Sequence, residues 1–183
     1  MFSLSKSVVG LDLGSRFIKA AQLKMNKKGY LLERCGIITI PPELIVDGSI
    51  IDAPRVVEAI RELLKTSKIK AKHVALSVSG HSSVIVKRIS LPSMSEEEID
   101  EAVKLEAEQY VPFDISDVNL DFQILGTQED EEHIDVLIVA VKKDKIDEYV
   151  FTVKEAGLKP VVVDIDAFAL GNIYEINYEI ESD

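Results

Sequence analysis

The stretch Gly10-Leu11-Asp12-Leu13-Gly14-Ser15-Arg16-Phe17-Ile18-Lys19 gathers residue types that can hold a phosphate and its counter-cation. An Asp that closes a strand two residues before a Gly leaves a carboxylate at the mouth of a sheet. Gly14 permits a tight turn and a close approach of backbone to an anion. Successive N–H groups in such a turn, with the Ser15 hydroxyl, can hydrogen-bond phosphate oxygens. Lys19, on the returning strand, can direct its ammonium to the same anion. Asp12 would then hold Mg²⁺ through water, because Mg²⁺ gives up its hydration shell reluctantly. Taken alone, a D-x-G-S turn is common, and a plain hairpin with a solvated Lys19 is the better reading of it. The chain has no G-x-x-x-x-G-K-[ST] loop. A strand pattern, not a helix, follows Gly14, which argues against a dinucleotide fingerprint.

A second acidic stretch, Val161 to Tyr174 (VVVDIDAFALGNIY), hands a strand directly to a helix of small residues. Carboxylates at Asp164 or Asp166 could orient a water against a phosphate anhydride; Asp166 also reads as a plain helix N-cap. Other candidates lead nowhere. His73, His81 and His133 lie far apart and lack metal-ligand spacing. Cys35 sits in a strand pattern and is expected in the core. Ser79-Gly80-His81-Ser82 lacks the elbow of a hydrolase nucleophile.

The elements that must position these residues follow from periodicity. Val8 to Gly14 reads as a strand buried on both faces, Phe17 to Leu23 and Tyr30 to Ile40 as two more strands in an antiparallel meander. Asp52 caps a helix with Val56, Val57, Ile60, Leu63 and Leu64 on one face, and His73 to Ser79 is a strand. A second unit starts near Ser82. It has a strand from Ser83 to Leu91 and a helix opened by the Ser95/Glu98 capping box. Ile99, Ala102, Val103, Ala107 and Tyr110 form that helix's inner face. Strands over Val118 to Leu125 and Ile134 to Val141 flank a charged loop, Glu129 to Glu132. A helix from about Lys143 to Ala156 then ends at Gly157. Pro160 to Ile165 and Ala167 to Ile176 return to the first unit, which makes the second an insertion.

Composition excludes several classes. With 46% hydrophobic and 29% charged residues the chain is globular, and no apolar run approaches the ~20 residues of a membrane span. A net charge of −11 argues against sequence-independent nucleic-acid binding. It also disfavours direct adhesion to an anionic membrane. Cys35 is the only cysteine, which rules out an intrachain disulfide and suits a reducing compartment.

VVGLDLGSRFIKAAQL resembles the first phosphate loop of the superfamily that contains actin, sugar kinases and heat-shock chaperone ATPases. VVVDIDAFALGNIY resembles the connecting segment of that fold. VDGSIID followed by a helix is similar to FtsA and PilM proteins. EAVKLEAEQYVPFDISDVNLDFQILG is close to the inserted subdomain of the PilM family of type IV pilus assembly proteins, EAEQYVPF being the most specific match. The resemblance covers essentially all 183 residues.

It implies an α/β fold of the actin-like ATPase (ribonuclease H-like) type. Residues 1–81 plus 159–183 would form subdomain IA, and 82–158 an inserted FtsA/PilM-type subdomain IC. The chain is expected to stop about halfway through that fold, before the second phosphate loop and the adenosine-binding segment. The resemblance places ATP and Mg²⁺ at Asp12, Gly14, Ser15, Arg16 and Lys19, with Asp12 holding the metal through water. It puts the water-positioning residue at Asp166, a departure from the usual Gln or Glu that weakens the case for hydrolysis. At most a weak ATPase is implied for a full-length protein, and for this half weak or absent nucleotide binding. The implied partners are the cytoplasmic N-terminal peptide of PilN and the pilus motor ATPases. The implied location is the cytoplasmic face of the bacterial inner membrane, reached through those partners, with a role in twitching motility. Three relatives remain open alternatives: an FtsA-like filament protein, the cytoplasmic domain of a type II secretion component, and a small-molecule kinase. Oligomeric state is left open.

Overall fold

The computed structural model describes residues 7–27, 29–79, 83–127 and 132–178. In chain order it begins with β1 (Val8–Leu13), β2 (Phe17–Asn26) and β3 (Gly29–Thr39), a short hairpin of β4 (Ile45–Val46) and β5 (Ser49–Ile50), then α1 (Ala53–Thr66) and β6 (His73–Val78). β7 (Val84–Pro92), α2 (Glu96–Tyr110), a 3-10 turn (Ile115–Asp117), β8 (Val118–Thr127) and β9 (His133–Lys142) follow. The last elements are α3 (Lys143–Glu155), β10 (Lys159–Ile165) and α4 (Asp166–Asn177). Two compact units result, Met1–Ser79 with Asp147–Asp183, and Gly80–Ile146. None of the described helices is long and apolar enough to cross a membrane.

In the first unit the meander β1–β2–β3 extends into a five-stranded sheet of order β10-β6-β1-β2-β3, with β6 parallel to β1 and β10 parallel to β6. α1 starts at Asp52, whose carboxylate accepts the Arg55 N–H at 3.1 Å. It lies against β2 and β3 and buries Val56, Val57, Ile60, Leu63 and Leu64. The approach is close at Gly36 of β3, where a Cβ would stand 1.8 Å from Ser67 Oγ and 2.9 Å from Leu63 Cδ1. Val9, Leu11, Leu13, Ile18, Ala20, Val74, Leu76 and Val78 supply the sheet's share of the core. β1 therefore differs from expectation: only one of its faces is buried, because the other presents Gly10 and Asp12, which offer no apolar volume to pack. Cys35, expected in the core, is exposed on β3; its even spacing from Ile37 puts it on the uncovered face.

The second unit is a three-stranded antiparallel sheet, β7-β9-β8. α2 covers one face through Ile99, Val103 and Ala107, packed with Ile89, Leu91, Val136, Ile138 and Ala140. Its capping box forms as the sequence predicts, with Ser95 and Glu98 each bonding the other's backbone N–H. Tyr110 departs from its expected inward position: it is 41% exposed, with Lys87 Nζ 5.2 Å from the ring centroid. Val111, which ends the helix in an extended conformation, takes the buried place instead.

The resemblance places residues 82–158 in the insertion; the two compact units divide inside α3, after Ile146. The reason lies in specific bonds. Tyr149 is buried and its hydroxyl donates to Gly48 O at 2.7 Å, Glu148 Oε1 accepts the Ile50 N–H at 3.0 Å, and Arg61 donates to Glu155 O. Most of α3 is thus tied to the β4–β5 hairpin and α1. Gly157 has φ 85°, as its place after the helix requires. His81 and loop residues 128–131 lie outside the described residues.

Candidate functional site

Strands β1, β6 and β10 run parallel, so their C-terminal ends share one edge of the sheet, the place where open α/β sheets bind ligands. The sheet face opposite α1 carries two rows across the strands. The inner row is small and apolar: Cys35 pairs with Ala21, Ala21 with Gly10, Gly10 with Ala75, and Ala75 with Val162. The outer row, two residues nearer the edge, is polar. Lys19 pairs with Asp12 on β1, and Ser77 on β6 pairs with Asp164 on β10. Strand period alone produces this sorting, since the residues between them (Leu11, Ala20, Leu76) face the core. Both rows line one open depression of about 730 Å³.

Lys19 Nζ stands 2.8 Å from Asp12 Oδ2, and both side chains are about half exposed. Gly14 follows at the turn, where its N–H donates to Phe17 O at 3.0 Å and a Cβ would lie 2.9 Å from that same oxygen. Gly14 is thereby committed to closing the hairpin, and its N–H is engaged there. Ser15 and Arg16 form the exposed tip, tied back by Arg16 O, which accepts the Ile40 N–H at 2.9 Å.

Asp166 is the first residue of α4. Ile165 holds the N-cap position without a side-chain bond, so the simple capping role does not apply. Asp166 Oδ1 accepts the Ala167 N–H and Asp164 Oδ1 the Ile165 N–H, each at 2.7 Å. Of the two, Asp164 lines the depression. Asp12 and Asp166 are nevertheless linked through a third group, Tyr149. Burial pushes the Tyr149 hydroxyl up to about 12, and the Glu148, Asp12 and Asp166 carboxylates all add to that shift. The two acidic stretches read from the sequence therefore bear on one buried phenol.

Ser77 was missed by the sequence reading, although the alternation of Val74, Leu76 and Val78 places it with Ala75 on the open face. Tyr149 and Glu148 were missed as well, because nothing local ties α3 to a hairpin about a hundred residues earlier. Among the described residues no group of three or more His, Cys, Asp or Glu gathers as a metal cage. A Mg²⁺ held mainly by water and phosphate needs only one or two carboxylates, and Asp12 beside Lys19 fits that demand.

Comparison with known proteins places this geometry. The family model described as type IV pilus assembly protein PilM matches residues 10–182. Among solved structures, the PilM–PilN type IV pilus biogenesis complex contains a chain that is 30% identical. The match has a TM-score of 0.80 and covers 92% of this chain and 50% of that one, so the chain spans half the length of this relative. The cytoplasmic domain of EpsL, an inner-membrane component of the type II secretion system of Vibrio cholerae, shares the fold at 16% identity. Its TM-score is 0.57, over 90% of this chain and 59% of that one. The α/β, actin-like fold class expected from the sequence is the fold observed. The family match over residues 10–182 is decisive: the chain belongs to the PilM family of type IV pilus assembly proteins.

Proposed function

We propose that the chain is the half of a nucleotide-binding pilus-assembly scaffold that carries the first phosphate loop. The observation that supports this most is the outer row, which sets Lys19, Asp12, Ser77 and Asp164 side by side at the C-terminal edge of parallel strands. In this reading Lys19 is the cation that meets the phosphates of ATP. The Ser15 hydroxyl and Arg16 at the hairpin tip add donors, and Gly14 keeps the turn tight. Asp12 would be the residue to hold Mg²⁺, which would offset charge on the phosphate oxygens. Asp166, one of whose oxygens is occupied by the Ala167 N–H, orients a water with the other. Its side chain is one methylene shorter than Glu, so turnover is slow even in a full-length protein. The scaffold's partner is the cytoplasmic N-terminal peptide of a PilN-like protein, which holds it at the inner face of the inner membrane, with the pilus motor ATPases beyond. The second unit's sheet ends in two edge strands, β7 and β8, and such edges accept an extended peptide through backbone hydrogen bonds.

A two-lobed site clamps phosphates from both sides and buries the base between lobes, so one lobe alone binds poorly. Isothermal titration calorimetry of this chain is expected to show saturable binding of a PilN N-terminal peptide and no micromolar binding of Mg·ATP. Absence of peptide binding at about 1 mM, a ΔG near −4 kcal/mol, overturns the scaffold role. Micromolar ATP affinity overturns the half-site role.

A further inference from the structure

The first unit is sorted by charge along its strands. Asp12, Asp164 and Asp166 stand where β1 and β10 end. The opposite edge, where β1, β6 and β10 begin side by side at Val8, His73 and Lys159, is rich in lysine. The segment from α1 into β6 brings Lys65, Lys68, Lys70 and Lys72, with no acid between Leu63 and Val74. The segment from α3 into β10 adds Lys154 and Lys159, and the Lys159 N–H donates to Lys72 O at 2.7 Å. Lys24 and Lys27 come from the hairpin of β2 and β3. All eight are exposed, and among the described residues no hydrogen bond, ion pair or ring contact engages any of their ammonium groups. Every other described lysine is engaged. Lys19 meets Asp12, Lys104 meets Asp100 and Lys143 donates to Ser116 O. Lys87 and Lys142 lie over the Tyr110 and Phe113 rings, and Lys145 is buried with a partner. In a chain of net charge −11, the free ammonium groups are thus gathered at one edge.

The same edge carries an apolar arm. Pairing of β2 with β1 stops at Gln22, so Leu23–Asn26 and Gly29–Leu32 continue as a ribbon of two strands past the start of β1. It reaches about 13 Å beyond Gln22 at the usual strand rise. Met25, Tyr30, Leu31 and Leu32 on it are 54–73% exposed. Apolar side chains on a projection, with lysines around its base, suit a lipid surface: the former enter the boundary below the headgroups, about 5–10 Å deep, while the latter meet lipid phosphates. A nucleic-acid surface would leave the apolar arm unused. Lysine, a flexible point charge without the planar fork of arginine, also fits a diffuse anionic surface better than a single geometric partner. The net charge disfavours adhesion by an arbitrary face, but charges more than about 8 Å from the contact are screened at physiological salt. We infer that this edge of the first unit, ribbon foremost, docks directly on an anionic lipid bilayer. The inference goes beyond the scaffold reading and needs neither nucleotide nor a PilN peptide.

The test is co-flotation of the 183-residue chain with phosphatidylcholine vesicles containing about 30% phosphatidylglycerol, at about 0.1 M salt. Binding is expected there, and is expected to vanish with phosphatidylcholine alone or at about 1 M salt, where screening acts within ~3 Å. Each lysine at such a surface is worth about fivefold. Lys70→Glu/Lys72→Glu should therefore weaken binding at least about 25-fold. Met25→Ser/Leu31→Ser should weaken it at least about tenfold and leave its salt dependence in place. The altered residues are exposed, so circular dichroism should not change. Lys104→Glu/Lys143→Glu, in the second unit, alters the net charge equally and should bind as the parent does. Equal weakening by that control, binding indifferent to phosphatidylglycerol, or no co-flotation at about 5 mM lipid overturns the proposal. Capture by poly-glutamate without vesicle binding also overturns it, and assigns the edge to an acidic protein.

Discussion

Tyr149 offers a direct measure of whether the two acidic stretches converge. Its hydroxyl is buried, donates to Gly48 O at 2.7 Å, and titrates near 12 because of burial first and the Glu148, Asp12 and Asp166 carboxylates after it. An ordinary tyrosine titrates near 10, so in the folded state this one stays protonated where the unfolded chain would already ionise. The contribution to stability is fully present below about pH 10 and is lost as pH rises toward 12. That difference corresponds to about 3 kcal/mol at most. Tyr149→Phe removes both the phenol's titration and its hydrogen bond, the latter worth about 1 kcal/mol. Urea unfolding at pH 8 should therefore find the variant about 1 kcal/mol less stable than the parent. The gap should shrink above pH 10 and close near pH 11, where the parent has lost about 1 kcal/mol. Comparing variant with parent cancels the lysines and the other tyrosines, which titrate in both. Asp12→Asn and Asp166→Asn, followed by tyrosinate absorbance, should each lower the Tyr149 midpoint part of the way, burial holding the rest. A stability gap that stays flat from pH 8 to 11, or a midpoint indifferent to both substitutions, refutes the convergence.

Two further outcomes bear on the scaffold. Gly36→Ala should cost about 1–3 kcal/mol in urea unfolding, as overpacking does, because the new methyl meets Ser67 Oγ and Leu63 Cδ1; a change below about 0.3 kcal/mol would contradict the close seat of α1 on β3. Ser95→Ala should lower Tm by about 2–4 °C at pH 7 through loss of the capping box. The Ser95 backbone N–H, which the variant keeps, and the hydroxyl, which it loses, hold the Glu98 carboxyl below its ordinary value; the hydroxyl's share is present above that ordinary value and lost as pH falls through the lowered one. The parent–variant difference should accordingly shrink in acid, and thermal melts at pH 7 and pH 3 check the sign.

Much of the fold was legible because strand and helix periods sort side chains without reference to distant residues. The meander, the α1 face, the Ser95/Glu98 box and the Gly157 stop each rest on local chemistry, and each appears in the structure. What local pattern could not convey was cover. Cys35 and β1 were read as interior because apolar runs look alike whether one face or two is packed, and only the sheet's partners decide. Tyr110 continued a helical stripe on paper, but the chain turns at Val111 and gives it the buried place. The boundary within α3 depends on Tyr149 and Glu148 bonding a hairpin far back in the sequence.

The Asp12–Lys19 pair illustrates why the site, unlike the core, has to be argued from chemistry. At 2.8 Å but half exposed on both sides, it is worth at most about 1 kcal/mol to folding. The strands would pair as well with two threonines. Nothing in the stability of the sheet therefore calls for a carboxylate and an ammonium facing each other beside Ser77 and Asp164. In the proposed reading, the ammonium rests beside Asp12 and can move to an arriving anion at little cost. The same small coupling makes Asp12→Asn a mild change for the fold. Loss of Tyr149's extra shift in that variant would then report geometry at the site and not unfolding.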